Sequence, residues 1–256
     1  MITMPKTRTA TTLQDLKRQT AAIMQQAESD NGFGFNTETM HETGALHEVA
    51  GAGYQDRAAA LGFSIALAQQ LLAHRPGPLV WCQKRQRQGD PEGLRLHAPG
   101  LLAFGVDPSR ITQIFLDNEQ DLLWALEEAL DCSCLAGAIG VLWSEKIYGF
   151  TASRRLALRA KKSGVTGILL RPHRTSGLGG TTAAATRWRV SSAPGKTRWQ
   201  LDLTRCRNGK PGQRNIGWDH ETVSFDMASR LADRAGNPQI WDQQPAKQRR
   251  DRQRAS

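Results

Sequence analysis

The stretch Leu46-His47-Glu48-Val49-Ala50-Gly51-Ala52-Gly53-Tyr54-Gln55-Asp56-Arg57, followed by an apolar run over residues 58–70, decides the fold. Its first residues read as a strand and its glycines as a turn. The rest reads as a long helix, apolar all round and therefore buried. That order is the layout of a P-loop, in which backbone N–H groups and a Lys hold phosphates at a helix start. The Gly-Lys-Ser/Thr end of the motif is missing: Asp56, Arg57, Ala58 and Ala59 stand around the places of Lys and Ser/Thr. Gly51, Gly53, Asp56 and Arg57 thus mark a degenerate nucleotide site. A chain that keeps the scaffold without its phosphate ligands is expected to bind rather than to hydrolyse.

Outward from this stretch, strands and helices alternate. Strands are predicted over 78–83, 111–116, 135–144 and 167–172, and helices over 57–74, from Asp117 or Asn118 to Asp131, and over 151–163. One or two further helical turns fall over 99–104. Leu122, Leu126 and Leu130 recur every fourth residue as a buried stripe, with Glu127, Glu128 and Asp131 facing away. Gly164 is a helix stop signal. After a loop over 173–182, rich in Gly and hydroxyls, polar and apolar residues alternate over 184–193, 197–207 and 214–225. Gly- and Pro-containing turns separate these runs, which predicts an antiparallel meander. The fold class is α/β: a mostly parallel sheet flanked by helices and extended by C-terminal antiparallel strands. Residues 1–36 form an N-terminal helix (over 12–28) and linker, 37–226 the α/β body, and 227–256 a short helix and an Arg-rich tail expected to be disordered.

At 256 residues, with 39% hydrophobic content and seven Trp, the chain is expected to bury one sizeable core. It has no run of 18 apolar residues and no apolar leader, so no membrane span and a cytoplasmic location are expected. The four Cys and six His show no ligand spacing, which predicts reduced structural thiols, no metal and no cofactor. The net charge of +10 is unevenly spread. Residues 101–150 carry 2 Lys/Arg against 8 Asp/Glu, whereas residues 151–214 carry 15 Lys/Arg against the single acid Asp202. So long a block of one sign points to a polyanion, DNA, as partner. The competing reading pairs it with the acidic block beside it in sequence.

Three places are candidates for DNA contact. The loop over 173–182 carries Arg174 and glycines that allow close backbone approach. The meander interleaves cations with indoles at Arg187-Trp188-Arg189 and Arg198-Trp199, and adds Arg207 and Lys210. Alternation places Arg187 and Arg189 on one face and Trp188 on the other, so Trp188 is expected in the core. The helix over 151–163 sets Arg154, Arg155, Arg159 and Lys162 on one arc. In the tail, Trp241 is an anchor candidate, and Arg249, Arg250 and Arg252 either tether a polyanion or order against a protein partner.

Five stretches taken in order carry a family resemblance: Leu101-Leu102-Ala103-Phe104-Gly105-Val106-Asp107-Pro108-Ser109-Arg110, Thr151-Ala152-Ser153-Arg154-Arg155-Leu156, Gly167-Ile168-Leu169-Leu170-Arg171-Pro172, Ala183-Ala184-Ala185-Thr186-Arg187-Trp188-Arg189-Val190, and Arg205-Cys206-Arg207-Asn208-Gly209-Lys210-Pro211-Gly212. They resemble the ImuA family, RecA-like proteins of bacterial SOS mutagenesis. The resemblance implies a RecA-like fold and a part in error-prone translesion synthesis. Its partners there are ImuB, a polymerase-like protein of the Y family, and an error-prone replicative-type polymerase subunit, with RecA a further candidate. It also favours a protein partner for the tail.

Comparison with RecA-type ATPases implies where nucleotide machinery belongs. The strand after the P-loop helix should end near a catalytic Glu, and Leu79-Val80-Trp81-Cys82-Gln83 offers none. The Walker B Asp is replaced by Trp143, and the γ-phosphate sensor by Arg171 and Pro172. Phosphoryl transfer needs positioned Lys, metal and base together, so a non-catalytic adaptor is expected. Two alternatives stand beside it. A divergent DNA-dependent ATPase would use Arg57 in place of the Lys; a SulA-type SOS cell-division inhibitor would have no use for a DNA-binding stripe.

Overall fold

The computed structural model describes residues 43–86, 94–144, 147–172, 180–209 and 211–226. β1 (Leu46–Gly51) is buried throughout. A 3-10 turn at Tyr54–Asp56 leads directly into α1 (Arg57–His74). Rich in Ala and Leu, good helix formers, α1 stops where Arg75 turns extended ahead of Pro76. Then follow β2 (Leu79–Lys84), α2 (Ala98–Ala103), β3 (Ile111–Leu116), α3 (Glu119–Asp131), β4 (Gly137–Val141), α4 (Phe150–Ser163) and β5 (Thr166–Arg171). Asn118 caps α3 by accepting the Asp121 N–H at 2.8 Å. Gly164 ends α4 at φ +74°, a left-handed conformation that glycine adopts without strain. β6 (Thr186–Ser192), β7 (Arg198–Cys206), β8 (Gly212–Asp219) and β9 (Ser224–Asp226) follow among the described residues.

The nine strands among the described residues join one sheet in the order β3-β2-β4-β5-β1-β6-β7-β8-β9. From β3 across to β6 the neighbours are parallel, and from β6 to β9 antiparallel. The fold is therefore the expected α/β class, a parallel core with an antiparallel C-terminal extension. On one face, Phe63, Leu67 and Leu71 of α1 pack on Val49, Trp81, Ile139, Ile168 and Trp188. On the other, Leu122, Leu126 and Leu130 of α3 and Leu156 of α4 pack on Leu46, Val80, Ala138 and Leu169. Both faces of the parallel strands are covered, which is why those strands read as apolar runs rather than alternations.

Two boundaries differ from expectation. The strand predicted over 214–225 is two strands, because Asp219 Oδ1 accepts the N–H groups of Glu221 and Thr222 at 2.8 and 3.3 Å and closes a turn. The strand predicted over 135–144 is regular only over Gly137–Val141. Beyond it the amides of Trp143 and Ser144 turn to a side chain. The helix expected over 12–28, most of the loop over 173–182, the helix after 226 and the Arg-rich tail lie outside the described residues. Among the described residues no helix is long and apolar enough to cross a membrane, and no group of three His, Cys, Asp or Glu could hold a metal ion.

Candidate functional site

Gly51, Gly53, Asp56 and Arg57, read from the sequence as a degenerate nucleotide site, lie at the carboxyl end of β1 and the start of α1. Gly51 is needed there for close approach: a Cβ on it would lie 2.4 Å from the carbonyl oxygen of Pro172. The turn then closes on itself. Ala52 donates its N–H to Val190 O at 2.9 Å, and Asp56 its N–H to Gly53 O at 3.1 Å. Two amides of this turn are thus used within the protein. The Asp56 side chain is buried, and its Oδ1 accepts the N–H of Ser192 at 2.9 Å. A carboxylate of the chain's own sits at the start of α1, where a helix favours negative charge. The Arg57 guanidinium lies 4.3 Å over the Tyr54 ring.

The other positions compared above with ATPase machinery also hold internal contacts. Where β4 ends, the Glu119 carboxylate accepts from Trp143 N at 2.7 Å and from Ser144 N at 3.0 Å. Glu119, in the first turn of α3, is a residue that sequence reasoning missed; its only sequence signal was an acid at a helix start. Arg171 is buried, with its guanidinium 5.6 Å from the centre of the Tyr148 ring.

Arg187, expected among the DNA contacts, is instead an internal counter-ion. Its Nε donates to Glu48 Oε2 at 2.6 Å, with side-chain exposures of 7% and 1%. Tyr148 OH and Thr182 Oγ1 both donate to Glu48 Oε1, the first at 2.7 Å. Arg187 Nη1 also donates to Gly180 O at 3.0 Å. Burial first, and then the Glu48 charge, push the Tyr148 phenol well above its ordinary range, so it remains a proton donor. The reason for the misplacement is topological. β6 is not an edge strand but pairs parallel with β1, and its register sets Glu48 beside Arg187.

The indoles of the meander are also inside. Trp188 and Trp199 meet Phe63 edge-on, with centroid separations of 6.1 and 5.7 Å. Trp188 matches expectation; Trp199 corrects the notion of an indole platform beside Arg198. Arg198 itself lies 3.7 Å from Asp226 at the far end of β7.

On α4 the candidates divide. Arg155 and Arg159 lie 3.1 and 3.5 Å from Glu127, and Arg159 and Lys162 lie 2.8 and 3.4 Å from Asp131. Glu127 and Asp131 therefore turn toward α4 rather than facing away, and pairing with the acidic block accounts for this part of the stripe. Arg154 and Lys161 are exposed without an ion pair among the described residues. The structure does gather some cations. Ser153 Oγ accepts from Ala183 N, Arg205 donates to Ala184 O and Arg207 to Ala183 O. Ser153 of α4 and the exposed Arg205 and Arg207 thus meet around residues 183–184; the exposed Arg154 follows Ser153 on α4, and Arg189 of β6 lies across from Asp202 of β7. Arg205 was not singled out in the sequence. Arg174, Lys210, Trp241, Arg249, Arg250 and Arg252 lie outside the described residues.

No family model matches the chain. It is 32% identical over 216 residues to Protein ImuA from each of two strains of Caulobacter vibrioides, covering 74% of this chain and 82% of the relative. The chain belongs to the ImuA family. Among solved structures, the crystal structure of the RadB recombinase aligns over 72% of this chain and 91% of its own, with a TM-score of 0.48 and 12% identity. Membership of the family agrees with the resemblance carried by the five stretches quoted above.

Proposed function

We infer that this ImuA-family protein is a non-hydrolysing adaptor in SOS-induced, error-prone translesion synthesis. In this reading it holds a polymerase-like ImuB partner, and through it an error-prone replicative-type subunit, near damaged DNA. The observation that carries the non-hydrolysing part is the buried Asp56 carboxylate at the head of α1, bonded to Ser192 N. A triphosphate placed there would meet like charge and a turn whose Ala52 and Asp56 amides are already used. Supporting DNA contact, Arg154, Arg205 and Arg207 are exposed without an ion pair among the described residues, whereas Arg189 lies across from Asp202 of β7. The tail from 227, with Trp241, Arg249, Arg250 and Arg252, is the candidate partner segment.

Two experiments test this. Purified full-length protein is expected to show no DNA-stimulated ATP turnover; turnover lost on Arg57→Ala would establish the ATPase alternative. A pull-down from damage-treated cells is expected to recover a polymerase-like protein with the full chain and not with a chain ending at Gly236. Recovery of a division GTPase instead would favour the SulA-type alternative.

A further inference from the structure

A second cleft opens at the carboxyl ends of β2 and β3, away from the closed turn at Gly51. Its volume is about 350 Å³, and its lining includes Gln83, Gln86, Gln113, Arg85, Arg95 and Phe115. That size falls within the ~300–1,000 Å³ of small-ligand clefts, and the carboxyl edge is where open α/β sheets bind ligands.

Its chemistry is specific. In the β2–β3 register Gln83 lies beside Phe115, with Gln113 two residues earlier on the same face as Phe115. Phe115 is 44% exposed, a large aromatic side chain left open to solvent on an edge strand. Gln83 Oε1 accepts from Trp81 Nε1 at 2.9 Å, which leaves its amide N–H₂ as the part free to donate. Gln86 Oε1 is buried and accepts no hydrogen bond among the described residues. Such an orphaned acceptor is costly unless a ligand supplies the donor. Arg95 is exposed, and among the described residues the Arg85 guanidinium is held by a solvent-exposed pair with Asp117 at 3.1 Å, so both guanidinium groups can reach an anion.

An aromatic face, amides that both donate and accept, and flanking arginines together match a nucleobase with its phosphate. We propose that this cleft seats one base of single-stranded DNA, stacked on Phe115 and read at its edge by the glutamine amides. This deepens the DNA-contact part of the proposed function and rests on it. It moves base contact from the buried indoles of the meander to the opposite edge of the sheet.

The test uses the full-length protein and two fluorescein-labelled 20-nucleotide probes, one of thymidines and one abasic. Phe115→Ala is expected to weaken thymidine-probe binding roughly 5- to 100-fold, while abasic-probe binding stays unchanged. Gln86→Leu is expected to weaken only the thymidine probe. Equal losses on both probes, or none, would overturn the inference. Competition by thymidine monophosphate as tight as the oligonucleotide would assign a free nucleotide instead and overturn the single-strand assignment. Photocrosslinking through 5-iodouracil gives a readout without mutation. The adduct is expected on the peptide holding Phe115, and adducts only elsewhere would refute the cleft. If combined Arg154→Ala, Arg205→Ala and Arg207→Ala weakens both probes while Phe115→Ala does nothing, the cleft fails and the DNA-contact reading stands. If the wild-type protein binds neither probe, both fall.

Discussion

Replacing Arg187 with Leu separates an internal counter-ion from a DNA contact. The substitution removes the guanidinium that donates to Glu48 Oε2 at 2.6 Å and leaves a carboxylate only 1% exposed without its opposite charge. Breaking a buried pair by removing one partner costs about 3–5 kcal/mol. Tyr148 OH and Thr182 Oγ1 still donate to the other oxygen, which argues for the lower end, about 3 kcal/mol. For a body of this size each kcal/mol moves the melting temperature by about 2–4 °C, so a fall of about 6–12 °C is expected. Glu48→Gln combined with Arg187→Leu should recover part of that loss, because no uncompensated charge then stays buried. Thermal melts followed by circular dichroism measure both variants at neutral pH. A single variant that melts within 1 °C of wild type while losing DNA affinity would refute the argument and return Arg187 to the surface.

Burial raises the Cys82 thiol to about 12 from an ordinary value near 9. The unfolded chain therefore releases this proton first as pH rises, and the stabilisation is complete below about pH 9 and lost toward pH 12. Between pH 9 and 10.5 the loss attributable to Cys82 should reach about 2 kcal/mol, visible in urea melts and absent in Cys82→Ala. Glu119→Ala should cost about 2–3 kcal/mol through its two amide bonds and speed hydrogen exchange at Trp143 and Ser144; unchanged exchange there would refute the strand-end role. If α4 touches DNA, Glu127→Gln with Asp131→Asn should release Arg155, Arg159 and Lys162 and steepen the salt dependence of binding. An unchanged slope would remove α4 from the interface.

The alternation of strands and helices was legible because its signals are local. Apolar periodicity, the Asn118 cap and the Gly164 stop each act within a turn or two of chain. That no Lys stands at the start of α1 could likewise be read from the sequence alone. The same holds for Trp188, whose side of the strand follows from a period of two. What residues 28 to 139 places apart would do to one another was not legible. That β6 joins β1 in parallel, and so brings Arg187 to Glu48, depends on strand order. That Glu127 and Asp131 meet α4 depends on two helices packing on the same face of the sheet. Charge in a sequence has a sign and a position but no partner. Only the tertiary structure decided which cations were cancelled inside the protein and which, around Arg154, Arg205 and Arg207, remain directed outward.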